Sequence, residues 1–316
     1  MNITIETMKQ KKIAVIVGGP SSEAEVSRNT GAAIAKALTA KGYAVETIEL
    51  VPERLVETLK EKGIDVVFNA LHGRYGEDGV LQGLCEMMGF PYTGPGVMAS
   101  AVGMSKVVSK CAFQGAGIPT APFAYYFSAQ GLDYIADDIG RRFSLPVVIK
   151  SSAQGSTIGT VIVSDASDIR AALDEAFRYG PAIIAEAFLD GEEFTVAVMD
   201  DMAMPVIQIV PSTGRYDYYS KYTPGVTKHL CPAPISPELT KKMQDLALQV
   251  FHLCQCSGVA RVDIMTNSQG EPFVLEINTV PGMTATSLVP DAAIAMGLSF
   301  EDLCEKILLE ASVGKF

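Results

Sequence analysis

Strand and helix patterns alternate through the N-terminal part of the chain, and this alternation constrains the fold more than any other feature. Apolar runs predict strands at residues 12–17, 43–50 and 64–70, with helical periodicity between them. Strands that alternate with helices favour a parallel sheet whose ligands bind beyond the carboxyl ends of the strands. Those ends lie at Gly18 and at His72. The sequence therefore predicts an α/β domain with a binding edge at these two turns.

The rest of the chain predicts two further units. A passage rich in proline and glycine over residues 91–96 marks the first boundary. The predicted elements beyond it are a helix near 97–115, strands at 146–150, 160–163 and 182–188 with a helix over 166–179, strands at 193–199 and 204–210, a loop over about 212–234, a helix near 237–253, and strands at 258–265 and 272–278. A loop of that length is uncommon within a domain unless it binds a ligand or acts as a lid. We therefore expect three domains, 1–95, 96–187 and 188–316, with an α+β arrangement in the last.

Composition argues against several classes of function. The chain has 316 residues and a formal net charge of −11, so no general affinity for nucleic acid or anionic membranes is expected. No apolar run reaches the roughly 18 residues of a membrane span, and the N-terminus lacks the apolar core of a secretion signal. The six cysteines are scattered, which favours free thiols in a reducing compartment. We expect a cytoplasmic protein.

Two pairs of polar residues on neighbouring strands carry the most specific chemical signal. Arg261 and Asp263 lie two apart on one predicted strand, and Glu276 and Asn278 lie two apart on the next, so each pair shares a face. One antiparallel register places Asp263 opposite Glu276 and Arg261 opposite Asn278. Two carboxylates this close repel unless a cation lies between them, and hard oxygen ligands suit Mg²⁺. The pattern predicts a magnesium site, with a solvated charged face on a hairpin as the alternative.

A second signal follows the predicted strand that ends at Lys150. The next residues are mostly small and include Gly155, Ser156 and Gly159. Backbone N–H groups and hydroxyls of such a loop can close over phosphate oxygens, with the lysine adding positive charge. The loop matches neither the nucleotide phosphate-loop motif nor the dinucleotide fingerprint. A flexible hairpin loop has the same composition, so the loop alone leaves both interpretations open.

Several single residues also admit two interpretations. On spacing alone, Glu23 suits an acidic residue that complements a helix dipole, His72 an ordinary loop histidine, and Lys106 a solvated helix lysine. Each equally suits a contact with a ligand. The segment 215–222 carries four tyrosines and a lysine, which favours a lid over an exposed surface.

With these residues in view, the chain resembles the D-alanine–D-alanine ligases of the ATP-grasp superfamily from end to end. The stretches that carry the resemblance are 18–27, 70–73, 76–79, 91–94, 221–222, 261–263 and 276–284. The resemblance implies a three-domain ATP-grasp fold with an N-terminal, Rossmann-like parallel sheet. It also implies a reaction in which ATP phosphorylates the carboxylate of one D-alanine. The amine of a second D-alanine then attacks the acyl phosphate, which gives a dipeptide for peptidoglycan precursors.

The resemblance further implies a role for each site residue. The groups expected at ATP are Lys106, Lys150, Gly155 and Ser156 for the phosphates, Glu186 for the adenine amino group and Glu193 for the ribose. Two Mg²⁺ or Mn²⁺ ions would be carried by Asp263, Glu276 and Asn278. The groups expected at the two D-alanine molecules are Glu23, Ser156, Tyr222, His72 and Lys221 around the first, Arg261 and the Gly282 N–H at the developing oxyanion, and Ser287 and Leu288 at the carboxylate of the second.

The sequence departs from the family pattern at two places, and two other functions compete with the one that the resemblance implies. Ser151 stands where many relatives have proline, and Ala153-Gln154 where they have arginine or asparagine, which puts the loop contacts in doubt. The alternative enzyme is a D-alanine–D-lactate ligase, but tyrosine at position 222 goes with amine attack in the family. A silent ATP-binding protein should lack metal ligands or Arg261, and all are present. The resemblance also implies a homodimer.

Overall fold

The computed structural model describes residues 4–212, 223, 225–284 and 286–315, and three sheets with their helices make up the fold. The helices are α1 (Ile5–Lys9), α2 (Ala24–Ala40), α3 (Leu55–Glu61), α4 (Val80–Met88), α5 (Val97–Met104), α6 (Lys106–Gly115), α7 (Leu132–Arg142), α8 (Ile169–Phe177), α9 (Pro237–Leu253), α10 (Leu288–Ala295) and α11 (Phe300–Leu309). The strands are β1 (Lys12–Val17), β2 (Ala44–Glu49), β3 (Val66–Asn69), β4 (Phe123–Phe127), β5 (Val147–Ser151), β6 (Thr160–Val163), β7 (Ala182–Ala187), β8 (Glu193–Met199), β9 (Met202–Ala203), β10 (Ile207–Pro211), β11 (Thr227–Leu230), β12 (Val259–Thr266) and β13 (Pro272–Asn278). Short 3₁₀ turns lie at Pro52–Arg54, Ser128–Gln130 and Ala166–Asp168.

The N-terminal sheet is parallel, in the order β2-β1-β3, as its strand–helix alternation predicts. Its central strand β1 is apolar and buried because helices cover both faces of the sheet. On one face α2 packs closely, since a Cβ at Gly31 would lie 2.0 Å from Val17 Cγ1. On the other face α3 and α4 contribute Leu59 and Leu81 to the core. The carboxyl ends of β1 and β3 lead to Gly18 and His72, the predicted binding edge.

Two antiparallel sheets follow. The first has the order β4-β7-β5-β6, and α7 and α8 cover it with apolar residues such as Ile139 and Leu173. The second has the order β11-β10-β8-β12-β13, with the short β9 beside β8. One face of this second sheet packs against α9 and against Phe113 of α6. The fold is thus mixed α/β with one parallel and two antiparallel sheets, as the resemblance implies.

The C-terminal helices return to the N-terminal sheet. One continuous core joins Ile34 and Leu38 of α2 to Leu303 and Ile307 of α11 and to residues of β8 and β10. Lys41, just after α2, reaches Asp302 across the same junction. The domain boundaries predicted after residues 95 and 187 stay a prediction. Among the described residues, no helix is both long and apolar enough to span a membrane.

Two predicted elements differ from the structure. The helix predicted near 97–115 is two helices, because Ser105 has an extended backbone and its side chain accepts a hydrogen bond from the Val108 N–H as the N-cap of α6. The loop predicted over about 212–234 contains β11, which pairs with β10. The side chains of β11 alternate between half-buried and exposed, so the strand has no fully apolar face to reveal it in the sequence.

Candidate active site

The first cavity lies where the N-terminal sheet meets β12, β13 and the loop after β5. Its wall combines the start of α2, the turn after β3, the 154–156 loop and the segment that leads into α10. The residues predicted for substrate and oxyanion that line it are Glu23, His72, Ser156, Arg261, Gly282, Ser287 and Leu288. The residues predicted for the ATP phosphates and the metal that line the same cavity are Lys106, Gly155, Glu276 and Asn278. Positions far apart in the chain therefore converge on one site.

Glu23 ties the N-terminal sheet to the loop after β5. Its carboxylate is buried, and Oε1 accepts a hydrogen bond of 2.5 Å from the Ser156 hydroxyl. Ser156 and Thr157 both have positive φ, at 50° and 64°, a region that non-glycine residues rarely enter. A Cβ at Gly155 would lie 3.1 Å from Glu23 Oε2, so a small residue there lets the loop approach the carboxylate. Glu23 and Ser156, both expected around the first D-alanine, are therefore in direct contact.

His72 is held in a buried network beside Glu23. Its Nε2 lies 3.1 Å from the Thr30 hydroxyl and its Nδ1 lies 3.3 Å from Glu77 Oε1. Burial raises the pKa of Glu77, although the neighbouring imidazole opposes that shift. These contacts fix the ring orientation of His72 at the cavity wall. An ordinary loop histidine would be solvated, whereas this one is 4% exposed.

Arg261 and Asp263 form a two-point ion pair on β12. The Nε and Nη2 atoms of Arg261 donate to the two carboxylate oxygens of Asp263, each at 2.8 Å. The Thr195 hydroxyl donates to Asp263 Oδ1 at 2.6 Å from the neighbouring strand β8. The predicted register is present, with Asp263 opposite Glu276 and Arg261 opposite Asn278. A register shift follows directly after Asp263, as β-bulges often do beside active sites.

The predicted metal ligands lie on one face of the strands β12 and β13, and the two carboxylates among them form ion pairs with basic side chains. Glu276 pairs with Lys106 at 3.0 Å, and Asp263 pairs with Arg261. Asn278 Oδ1 accepts a hydrogen bond from the Val280 N–H. Across the described ranges, no three His, Cys, Asp or Glu side chains gather as a metal-binding group. The donor set is two carboxylates and one amide, hard oxygens that fit Mg²⁺ or Mn²⁺ beside nucleotide phosphates.

The turn before α10 presents hydroxyls to the cavity. Ser287 is the N-cap residue of α10, and its Oγ accepts from the Thr284 N–H and lies 2.9 Å from the Thr284 hydroxyl. Gly282 packs against this serine, since a Cβ there would lie 2.9 Å from Ser287 Oγ. Leu288 is buried behind it. Helix N-termini of this kind attract carboxylates, because their N–H groups lack partners within the helix.

A second, larger cavity opens between the two antiparallel sheets. Its volume is about 780 Å³, within the range of small-ligand pockets. Apolar side chains line it from both sheets, among them Val148, Ile162, Ile209, Met265 and Leu275. The predicted nucleotide residues that line it are Lys150, Ser156, Glu186 and Glu193. Apolar walls that carry a few charged groups suit a purine nucleotide.

Glu186 is a buried carboxylate with two lysine partners. Lys110 Nζ lies 2.5 Å from Glu186 Oε2, and Lys150 Nζ pairs with Glu186 Oε1. Burial alone would raise the pKa of Glu186, but Lys150 and Lys110 outweigh it and lower that pKa to about 2. Burial lowers the pKa of Lys110 despite the nearby carboxylate. Glu186 is therefore ionised at neutral pH.

Two residues of this site were not predicted from the sequence, and two predicted residues lie outside the described part of the chain. Lys110 and Glu77 were not predicted as site residues, although Lys110 follows Lys106 by four residues, the spacing of one helix face. The predictions for Lys221 and Tyr222 lie outside the described residues. Lys106 also donates to the Gln154 carbonyl at 2.7 Å, a backbone contact that no side-chain pattern reveals.

Two antiparallel sheets that face each other across a nucleotide-sized cavity, beside a parallel sheet, define an ATP-grasp enzyme. The family model described as D-ala D-ala ligase N-terminus matches residues 51–95, and that described as D-ala D-ala ligase C-terminus matches 112–309. The D-alanine–D-alanine ligase of Syntrophotalea carbinolica is 47% identical over 98% of this chain and 99% of its own length. That of Moorella thermoacetica is 48% identical over 94% and 98%. A crystal structure of D-alanine–D-alanine ligase from Bacillus anthracis complexed with ATP matches with a TM-score of 0.82 and 32% identity over 95% and 97% of the two chains. The chain belongs to the D-alanine–D-alanine ligase family.

Proposed function

We propose that this protein joins two molecules of D-alanine into D-alanyl-D-alanine and converts ATP to ADP and phosphate. The γ-phosphoryl group passes to the carboxylate of the first D-alanine. The amine of the second then attacks the acyl carbon, and phosphate leaves. The dipeptide supplies peptidoglycan synthesis. Two relatives named D-alanine–D-alanine ligase, which match this chain over nearly their whole length, support the proposal.

The observation that carries this proposal is the position of Ser156. Ser156 lines both cavities, and its hydroxyl donates to Glu23. A nucleotide whose base lies in the larger cavity would therefore direct its phosphates towards the carboxylate of a substrate beside Glu23. Phosphoryl transfer depends mainly on such positioning and on charge neutralisation.

The phosphates of ATP are assigned to the side chains of Lys106 and Lys150 and to the loop at Gly155 and Ser156. Glu186 would accept from the adenine amino group, and Glu193 from the ribose. Asp263, Glu276 and Asn278 would hold two Mg²⁺ or Mn²⁺ ions, which neutralise phosphate charge when they are bound. The observed partners of the two carboxylates, Arg261 and Lys106, support a face built for positive charge.

The substrates are assigned to the smaller cavity. Glu23 would take the ammonium of the first D-alanine, with His72 beside it. Arg261 and the Gly282 N–H would stabilise the oxyanion that develops when the amine attacks, and one such donor contributes about 3–4 kcal/mol. Ser287 and the backbone of Leu288 would bind the carboxylate of the second D-alanine. Lys221 and Tyr222 stay sequence predictions for the lid and the selection of an amine.

Phosphate release tests the function. Purified protein with Mg-ATP should release phosphate with D-alanine and form the dipeptide, and should release far less with L-alanine or with D-lactate alone. Mixed D-alanine and D-lactate should give the dipeptide in excess over the ester. Phosphate release that does not depend on D-alanine would contradict the proposal, and a dominant ester product would favour the D-lactate alternative.

We also propose a cytoplasmic homodimer. ATP is a cytoplasmic metabolite, and all six cysteines are free thiols, as a reducing compartment requires. The resemblance to the family implies the dimer. Sedimentation velocity of the purified protein should give a single species of twice the chain mass, and a species at the chain mass would contradict the dimer.

A further inference from the structure

Lys110 is a buried lysine that has no assigned role in the proposed reaction. It lies on α6 with 1% of its surface exposed, one turn beyond Lys106. Its ammonium is 2.5 Å from Glu186 Oε2 and 5.6 Å from the centre of the Phe123 ring. A charge this deep is costly unless it is paired and hydrogen-bonded. The carboxylate of Glu186 therefore accounts for the presence of a lysine here.

The two lysines that share Glu186 differ in their access to the nucleotide cavity. The side chain of Lys150 is 17% exposed and lines that cavity, whereas the side chain of Lys110 is 2% exposed. Among the described residues that line the two cavities, Lys110 is absent. Lys150 can therefore exchange its partner for a ligand, and Lys110 is enclosed with Glu186.

Binding of a nucleotide changes the charge balance at this carboxylate. When Lys150 turns to a phosphate, Glu186 loses one of its two cations. Without a second cation, the buried carboxylate would keep no positively charged partner, since the adenine amino group assigned to it is neutral, and that cost would hold Lys150 in place. Because Lys110 stays paired with Glu186, Lys150 can leave this carboxylate without that cost.

We propose that Lys110 is a positioning residue of the nucleotide site, which balances the charge of Glu186 so that Lys150 is available to bind a nucleotide phosphate. This inference rests on the proposed function, because it requires Lys150 to contact ATP. It predicts that Lys110 acts on nucleotide affinity through Glu186, without a contact to the ligand.

A double-mutant cycle tests the proposal, with ATP and Mg²⁺ as the probe in titration calorimetry without D-alanine. In Lys110→Met, we expect the Kd of ATP to rise about tenfold or more, because Lys150 is then the sole cation beside Glu186 among the described residues. In Glu186→Gln, the same Lys110→Met change should cost less than about threefold, since no buried carboxylate remains. Equal losses in both backgrounds, or no loss in either, would overturn the proposal.

Controls separate this role from a general effect on folding. The double variant Lys110→Met/Glu186→Gln removes both charges together, so it should fold even where Lys110→Met alone is unstable. Lys110→Arg keeps the charge and should restore most of the ATP affinity. Lys315→Met removes a half-buried lysine that donates to the Tyr92 and Gly94 carbonyls, and it should leave the Kd of ATP within about twofold.

Steady-state rates provide the second measurement. In Lys110→Met the KM for ATP should rise, whereas the KM for D-alanine and kcat at saturating ATP should change less than about threefold. A matching rise in the KM for D-alanine would overturn the proposal, because it would mean a general distortion of the site. Wild-type protein that binds ATP but forms no dipeptide would refute the proposed function and still leave the Lys110–Glu186 coupling measurable by calorimetry.

Discussion

At the scale of single residues, Arg261 contacts both a carboxylate and the substrate cavity. Its guanidinium donates hydrogen bonds to both oxygens of Asp263, and it lines the cavity in which the oxyanion would form. Arg261→Ala should lower kcat about a hundredfold or more, because an oxyanion donor acts mainly in the transition state. The Kd of ATP should change much less. Steady-state rates together with ATP titrations measure the two effects separately.

A second arginine offers a matched control. Arg28 also donates two hydrogen bonds to one carboxylate, that of Glu49, but this ion pair lies at the surface. Arg28→Ala should leave kcat within about twofold, since exposed ion pairs contribute little. Arg261→Lys keeps the charge and loses the fork, so its kcat should fall between the wild type and the alanine variant. A loss of ATP affinity as large as the loss of kcat in Arg261→Ala would reassign Arg261 to phosphate binding.

The spacing of residues along paired strands indicates their contacts more reliably than the spacing of residues at the start of a helix does. The spacing of Arg261, Asp263, Glu276 and Asn278 fixes their shared face because strand geometry repeats every two residues. Ser22 and Glu25 have the spacing of a capping box, yet Glu23 is the N-cap residue of α2, and the cap has no side-chain hydrogen bond. The Glu23 carboxylate bonds instead to Ser156, 133 residues away, and such a partner cannot be read from local sequence.

At the scale of elements, Gly31 sets the distance between α2 and β1. A Cβ at this position would lie 2.0 Å from Val17 Cγ1, so the helix must move or the valine must repack. Gly31→Ala should therefore destabilise the protein by about 1–3 kcal/mol, as overpacked cores do. Because Glu23 starts the same helix, the KM for D-alanine should rise as well. Urea unfolding and steady-state rates measure the two effects.

Gly83 provides the control within another helix. It lies inside α4, and a Cβ there would meet nothing within 4 Å. Gly83→Ala should leave the free energy of unfolding unchanged or raise it by up to about 1 kcal/mol, since alanine is the better helix former. If the two substitutions had the same effect, the close approach of α2 to β1 would not be what makes Gly31 necessary.

Elements that depend on tertiary contacts were the hardest to predict. The break at Ser105 lies within an otherwise continuous helical pattern, and α6 begins where the Lys106 N–H meets the Ser152 carbonyl. The strand β11 forms because β10 offers it an edge, while its own residues alternate only weakly. By contrast, β1 and β3 are apolar enough to be predicted from composition alone.

At the scale of the whole molecule, an ion cluster joins the N-terminal sheet to the last helix. Lys41 donates to Asp302 and to Glu305, each at 2.6 Å, and the Tyr43 hydroxyl donates to Glu305 at 2.8 Å. The hydrogen bond from Lys41 lowers the pKa of Asp302 from 3.8 to about 2. A depressed carboxylate pKa contributes stability above its unfolded value, and that stability is lost as the pH falls through the folded value.

The free energy of unfolding should therefore fall as the pH drops from about 4 to about 2, with a contribution from this cluster. In Lys41→Met, that contribution should be smaller, because Asp302 then titrates closer to its ordinary pKa. Lys36→Met, on an exposed face of α2, is the control and should keep the wild-type slope. Urea unfolding across this pH range gives the slopes, and equal slopes for wild type and Lys41→Met would exclude the cluster as a source of acid sensitivity.

In the proposed reaction, the two cavities meet so that the γ-phosphoryl group of ATP passes to the carboxylate of D-alanine. D-alanine labelled with ¹⁸O in its carboxylate tests this directly, because the phosphate that leaves the acyl phosphate takes one carboxylate oxygen with it. Mass spectrometry of the products should show one ¹⁸O in the released phosphate and one ¹⁸O at the peptide carbonyl of the dipeptide. Unlabelled phosphate formed alongside the dipeptide would contradict the account, because the carboxylate would then never have been phosphorylated.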